Sequence, residues 1–440
     1  MRHWFLALLF LTIAWPSLVG LTDLEQGLAL FLMAVVLWTS RLLGELPGMM
    51  VIPVLALLLQ LITPAELAQM LMSPVLAIFI FGFSFATLSR EQKLDRLALA
   101  LLSRLSGENE QRACRLLFAM TGLISMWTSN VVTTALMLPL AMSVALTATD
   151  PHRVGKIQFL SIGIAFSATL GGMATQVGSS TSLIASELAG VDFIGWLVTA
   201  APIALLLWLL MVWMLERHFS PDFSQPLTLP QAPAITRAQK ESLVIVLLTL
   251  IGWVGGALAL RGMSKAYALV PLFSVAVLIL RGLITPVGVV KSMKWRVITI
   301  FVCAITLGKV LHDSGGGNQL VEWLSPLLFD LPLMLQIGVF LLLICVFTEY
   351  MSNVASASLL APLMLLLLQP QGASLTQISA LVGIGCSLAF VLPSATPANT
   401  LVVGSGNVTP QGLRGFGLKY KISAALVLTL LLWGMAFSPP

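Results

Sequence analysis

The sequence predicts an all-α polytopic membrane protein with eleven transmembrane helices and two re-entrant hairpins, arranged as two inverted-topology repeats. Of the 440 residues, 58% are hydrophobic and only 9% are charged, whereas a soluble domain carries about 25% charged residues. Apolar runs of about 20 residues, the length that crosses a bilayer, recur along the whole chain. Two longer apolar stretches share a motif at a fixed offset. This composition excludes a soluble enzyme and a nucleic-acid-binding protein.

Eleven apolar runs have the length of a membrane span. The first run has the basic start and apolar core of a signal peptide, but it lacks a clear small-x-small cleavage site, so a retained span is predicted. The approximate limits of the eleven runs are 4–20, 26–43, 48–63, 73–89, 156–187, 193–215, 242–260, 266–283, 295–311, 376–404 and 419–437.

Two further apolar stretches, at 112–147 and 331–367, are too long for one span and carry polar residues at their centres. At about 1.5 Å per residue, each half reaches about 25 Å, which is short of a hydrocarbon core of about 30 Å. Each stretch is therefore predicted to be a re-entrant hairpin, with two short arms that meet at a polar tip.

The basic residues support this arrangement. If Met1 is cytoplasmic and each hairpin returns to its own side, all but three of the 23 Lys and Arg residues fall in cytoplasmic segments. The exceptions are Arg261, Lys265 and Lys309. The positive-inside rule thus predicts a multi-pass protein of the inner (plasma) membrane, with the N-terminus cytoplasmic and the C-terminus outside.

The domain organisation follows from the spans and hairpins. Residues 90–107 mix charge with leucine at helical spacing, which predicts an amphipathic helix on the cytoplasmic surface. The predicted units are scaffold helices 1–3 at 1–72, a first repeat at 73–215 with its hairpin at 112–147, a proline-rich cytoplasmic linker at 216–241, further scaffold helices at 242–294, and a second repeat at 295–440 with its hairpin at 331–367.

The two hairpins share a motif. Residues 129–141 read SNVVTTALMLPLA and residues 352–364 read SNVASASLLAPLM, with six of the 13 positions identical at an offset of 223. A hydroxyl residue, Ser125 or Thr348, precedes each Ser-Asn pair by four positions. Because the charge pattern places the hairpin ends on opposite sides, these are inverted repeats, the architecture of many secondary transporters.

Downstream of each hairpin, glycine and proline interrupt an apolar run, at 171–182 and at 392–400. These residues predict helix breaks in spans five and ten. Broken helices offer free carbonyl groups to a cation and free N–H groups to an anion. Neither hairpin core nor break contains Lys or Arg, so a bound anion is expected to be held by hydroxyls, amides, helix N-termini and a co-bound cation.

Three further features of the sequence bear on function: an intramembrane acid, the cysteines and the lack of common enzyme motifs. Glu349 is the one acid in a hairpin core, and an orienting role, an ion pair with a basic residue elsewhere and a coupling proton all stay open for it. The four cysteines are expected to be buried free thiols. The sequence contains no Walker A, HExxH or GxSxG motif, so we expect no enzymatic activity.

The residues also carry a resemblance to a known family. SMWTSNVVTTALMLP at 125–139 resembles the first signature of the divalent anion/sodium symporters, which include di- and tricarboxylate and sulfate transporters. TEYMSNVASASLLAP at 348–362 resembles the second signature, and LPSATPAN at 392–399 resembles the break in the family's tenth helix. The order of spans and hairpins fits over essentially the whole chain.

This resemblance implies a homodimer with scaffold and transport domains and an elevator motion, with Na⁺ as the coupling ion and no other cofactor. It implies a first sodium site at Ser125, Ser129, Asn130 and Gly178 and a second at Thr348, Met351, Asn353 and Ala395. It implies anion contacts at Asn130, Ser179, Asn353, Thr396 and Pro397.

Two departures from the family pattern concern the cargo. Val131 and Val354 occupy tip positions that are usually threonine, and Ser180 to Ser182 replace the usual Pro-x-Asn. The leading hypothesis is sodium-coupled symport of a divalent anion, a dicarboxylate such as succinate. The alternatives are an inorganic oxyanion such as sulfate, proton-coupled or exchange transport and, more remotely, a non-transporting membrane protein.

Overall fold

The computed structural model is built from α-helices. It describes residues 2–40, 42–72, 75–145, 153–223, 234–259, 269–293, 295–328 and 331–435, and no strand occurs in these ranges. The helices of the first half are α1 (Arg2–Leu18), α2 (Asp23–Ser40), α3 (Glu45–Leu58), α4 (Pro64–Leu71), α5 (Val75–Glu91), α6 (Leu94–Ser106), α7 (Glu110–Ser125), α8 (Asn130–Ala145), α9 (Arg153–Met173), α10 (Ser180–Leu188) and α11 (Phe193–Phe219).

The second half continues in the same way. Its helices are α12 (Arg237–Ala259), α13 (Val270–Leu280), α14 (Pro286–Ser292), α15 (Trp295–Asp313), α16 (Gly316–Leu328), α17 (Leu333–Tyr350), α18 (Asn353–Leu368), α19 (Leu375–Gly385), α20 (Pro397–Gly404) and α21 (Pro410–Met435). Parts of the predictions lie outside the described residues: both chain termini, Arg261 and Lys265, and residues 73–74, 146–147, 224–233, 260, 266–268 and 436–437.

In the described residues each predicted apolar run forms helix over most of its length, with interruptions in spans five and ten, and the helices differ in length. Among these residues six helices are long and apolar enough to cross a membrane, and further apolar helices are shorter. One of the six is α17, an arm of the second predicted hairpin, with 18 residues. The count of eleven spans, the re-entrant path of the hairpins and the inverted topology therefore stay predictions, whereas the all-helical fold is confirmed.

Both predicted helix breaks are present. Span five divides into α9 and α10, and span ten divides into α19 and α20. We name the non-helical residues 174–179 the first break and 386–396 the second break. Likewise α7 and α8 meet at the first tip (126–129), and α17 and α18 meet at the second tip (351–352).

Packing brings these four irregular segments together. Helices α7, α8 and α9 pack against one another, α10 packs against α18 and α19, and α20 packs against α8 and α9. Each repeat therefore contacts the other through its broken helix. The predicted amphipathic helix is α6, which buries Ala98 and Leu102 and packs against α7.

Candidate functional site

The first tip is organised by one side-chain pair. The Ser125 hydroxyl donates to Asn130 Oδ1 at 3.0 Å. The backbone N–H of Val132 donates to Ser129 Oγ at 3.4 Å, so Ser129 caps the N-terminus of α8. The first tip thus presents a half-helix N-terminus and a serine–asparagine pair at one place.

The second tip repeats this pair at the same offset of 223 residues. The Thr348 hydroxyl lies 2.9 Å from Asn353 Oδ1 and also contacts the carbonyl oxygen of Cys386. Ser352 Oγ accepts from the N–H of Ala355 at 3.2 Å and caps α18. Because one hydroxyl proton satisfies only one of the two acceptors around Thr348, oxygen lone pairs outnumber hydrogens here.

Glycine brings the first break against the first tip. A Cβ on Gly178 would overlap the carbonyl oxygen of Ser125, and one on Gly172 would overlap Asn130 Oδ1. The Thr175 hydroxyl donates to the carbonyl oxygen of Met126. Several backbone and side-chain oxygens therefore lie close together behind the first tip.

These oxygens fit a sodium ion. Na⁺ is a hard cation, and hard cations prefer oxygen ligands. In the described residues, no three His, Cys, Asp or Glu side chains form a group that could hold a metal ion. Of the predicted ligands, Ser125, Asn130 and Gly178 meet at the first tip, and Thr348 and Asn353 meet at the second.

The second break is held by a buried ion pair. The Glu349 carboxylate accepts from the backbone N–H groups of Phe390, Val391 and Leu392, at 3.1, 3.1 and 2.9 Å. Lys421 Nζ lies 2.7 Å from Glu349 Oε1, and both side chains are buried. Of the interpretations left open for Glu349, the structure supports both the orienting role and the ion pair.

The tips and breaks enclose one cavity of about 700 Å³. The five residues that the resemblance assigns to the anion line it, together with the two tip valines: Asn130, Ser179, Asn353, Thr396 and Pro397, with Val131 and Val354. Ser129, Gly178 and Ala395 line it as well. Ser125, Thr348 and Met351 do not, and all three are buried, so the predicted sodium residues lie partly behind the cavity wall.

The two repeats touch inside this site. Thr181 Oγ1, from α10, lies 2.9 Å from Ser387 Oγ in the second break. The Thr396 hydroxyl accepts from the N–H of Asn399 at 3.0 Å and caps α20. The N-termini of α8, α18 and α20 are therefore all capped by hydroxyl residues around the cavity, an arrangement suited to an anion.

Sequence reasoning missed one wall of the cavity. Trp295, Arg296, Val297 and Ile300, from α15, line it together with Ser394. The predicted site comprised only the hairpin cores and breaks, which contain no Lys or Arg, and did not extend to α15. Arg296, a cation at the start of an apolar span, was the signal available for this wall.

The sequence profile described as "citrate transporter" (CitMHS) matches residues 28–384. The chain belongs to this family. An uncharacterized transporter of Haemophilus influenzae is 31% identical over 416 residues, covering 92% of this chain and 90% of that protein. A sodium-dependent dicarboxylate transporter of Staphylococcus saprophyticus is 24% identical, covering 84% of this chain and 78% of that protein. The resemblance to the divalent anion/sodium symporters is confirmed.

Two solved structures share the fold. The YdaH transporter of Alcanivorax borkumensis superposes with a TM-score of 0.60 at 18% identity, covering 83% of this chain and 85% of that one. MtrF of Neisseria gonorrhoeae gives a TM-score of 0.57 at 13% identity, covering 84% and 82%. Because the family is one of transporters, this member of the citrate transporter family is a membrane transporter and not an enzyme.

Proposed function

We propose that this protein is a secondary active transporter that couples Na⁺ symport to the uptake of a divalent anion, a dicarboxylate such as succinate. The observation that carries the proposal is the convergence of both Ser-Asn tips and both helix breaks on one cavity. Oxygen clusters that suit Na⁺ lie behind the tips, while capped helix N-termini that suit an anion face the cavity.

Asn130 and Asn353 couple the two ligands. Each carboxamide oxygen accepts from the hydroxyl of Ser125 or Thr348, at 3.0 and 2.9 Å, on the sodium side. Each residue also lines the cavity, where its N–H₂ group can donate to the anion. Binding of Na⁺ to the oxygen fixes the amide orientation, and the fixed amide then binds the anion more tightly.

The movement that we propose is an elevator motion of the tips and breaks against the remaining helices, in a homodimer in the plasma membrane. Thr175 joins the first break to the first tip, and Glu349 joins the second break to α17 and, through Lys421, to α21. Thr181 and Ser387 join the two halves. A unit joined in this way can move as one body and carry its side of the cavity with it.

Uptake of radiolabelled succinate into proteoliposomes tests the proposal. An inward Na⁺ gradient should drive accumulation, and its replacement by choline should abolish it. Accumulation that persists in choline but collapses with a proton ionophore would show that the coupling ion is H⁺ and not Na⁺. Uptake that requires an internal anion would indicate exchange.

A second cargo, an inorganic oxyanion such as sulfate, is favoured by one specific observation. Val131 and Val354 both line the cavity, and neither offers a hydroxyl to a carboxylate. Competition between unlabelled sulfate and labelled succinate separates the two cargoes. Sulfate uptake that succinate fails to inhibit would assign the site to the oxyanion.

A further inference from the structure

A second cavity, of about 280 Å³, adjoins the central one. The two cavities share Ser129, Gly178, Ser180 and Val297 in their walls. We name the second cavity the vestibule.

Two cations line the vestibule from different helices. Arg90 lies in the last turn of α5, and Lys291 lies in the last turn of α14. In the part of the chain that the structure describes, neither side chain forms an ion pair. Cations at helix ends are often topology signals that extend into water, but these two face a shared cavity that also contains hydroxyl groups.

Contacts between the end of α5 and the start of α14 fix the two helices that carry the cations relative to each other. The acid next to Arg90, Glu91, accepts from the backbone N–H and the hydroxyl of Thr285, both at 3.0 Å. Gln92 Nε2 donates to the carbonyl oxygen of Leu283 at 2.6 Å. Glu91 is therefore engaged with Thr285, and the vestibule keeps a net positive lining.

We propose that the vestibule is a second anion-binding site, at which a divalent anion rests between the solution and the central cavity. Arg90 and Lys291 pair with the two charges of the anion, while the hydroxyls of Ser129, Ser180 and Ser292 donate to its oxygens. This inference rests on the proposed function in one respect, the anionic cargo.

The vestibule would act by raising the local concentration of anion at the entrance of the central site. The charge pattern of the sequence places both cations on the cytoplasmic side, so the site serves the release and rebinding of cargo there. Although Ser129 and Gly178 belong to the walls of both cavities, the two cations of the vestibule come from α5 and α14, so we expect its anion binding to persist without Na⁺.

Binding of radiolabelled succinate and sulfate to the full chain in phosphatidylcholine nanodiscs, in choline, tests the proposal. Asn130→Ala combined with Asn353→Ala disables the central site and leaves the vestibule as the binding site. On this background Arg90→Gln and Lys291→Gln should each weaken binding of one or both anions about tenfold. Lys291→Arg, which keeps the charge, should retain binding, and Arg104→Gln, on α6 and outside both cavities, should have no effect.

Three outcomes would overturn the inference. The first is loss of all anion binding in the Asn130 and Asn353 double variant, and the second is equal anion binding in Arg90→Gln and Arg104→Gln. The third is displacement of the labelled anion by phosphatidylglycerol but not by unlabelled succinate. The last result would identify a lipid headgroup as the ligand. Sodium-driven uptake by the unmodified protein, measured in parallel, reports on the proposed function separately, because it depends on the central site.

Discussion

Asn130 and Asn353 each use one side chain for two purposes, since the oxygen faces a hydroxyl behind the tip and the residue also lines the cavity. We expect Asn130→Ala or Asn353→Ala to abolish concentrative uptake, because the link between cation and anion is lost. Proteoliposome uptake measures this. Thermal unfolding should change little, and Asn318→Ala, at an exposed position on α16, serves as the control. Normal sodium-driven accumulation by either tip variant would show that this tip is not part of the binding site.

The two tip valines, Val131 and Val354, provide a test of the cargo. Valine and threonine have nearly the same shape, but only threonine offers a hydroxyl. If the cargo is a dicarboxylate, Val131→Thr with Val354→Thr should tighten binding by about 1–3 kcal/mol, roughly ten- to a hundredfold. If the pocket is matched to sulfate, the same change should weaken the binding of sulfate and allow succinate to bind.

Competition binding measures both affinities for the valine variants. Val198→Thr, at an exposed position on α11, is the matched control and should change neither affinity. Unaltered affinities for both anions in the double variant would show that Val131 and Val354 do not contact the cargo.

At the scale of elements, two buried ion pairs allow a matched comparison. Glu349 and Lys421 hold the second break, whereas Glu110 and Lys156, also 2.7 Å apart and buried, join the starts of α7 and α9 away from the cavity. Removing one partner of a buried pair costs about 3–5 kcal/mol. We therefore expect Glu349→Gln and Glu110→Gln to lower stability to a similar extent in chemical or thermal unfolding.

Anion binding should distinguish these two variants. Only Glu349→Gln removes the charge and one of the two acceptor oxygens that hold the N–H groups of residues 390–392, so it should lower anion affinity beyond the effect of destabilisation. Binding measured at a temperature where both variants are folded checks this. Equal binding by the two variants would limit Glu349 to a role in stability.

The elements that could be predicted well are those marked by residues within or next to them in the sequence. Gly171, Gly172 and Pro393 interrupt apolar runs, so both breaks could be predicted from neighbouring residues. Helix α4 was missed because it lies outside the apolar runs and starts at a capping box formed by Thr63 and Glu66. The α15 wall of the cavity could be predicted only in part: Arg296 is visible in the sequence as a cation at the start of an apolar span, but its place in the wall depends on how α15 packs against α3 and α18.

For the whole molecule, the sidedness of the chain is the central prediction. Ser374 caps α19 and is exposed, and Gly155 has open space around its Cβ position. A cysteine at 374 should react with an impermeant thiol reagent added outside intact cells, and one at 155 should be protected. The four native cysteines are buried, which keeps the background low. The reverse labelling would overturn the inverted topology.

The charge content of the tips and breaks has a consequence for leakage. Glu349 is the single acid in either predicted hairpin core and Lys421 pairs with it, so the hairpin cores and the breaks carry almost no net charge when empty, while Arg296 faces the cavity from α15, outside them. An anion alone would make the site negative, and Na⁺ alone would make it positive. Either excess charge is costly to move through a low-dielectric membrane. If the tips and breaks move as we propose, the empty site and the fully loaded site are the forms that cross readily, and the chemistry of the binding site itself suppresses uncoupled movement of either ligand.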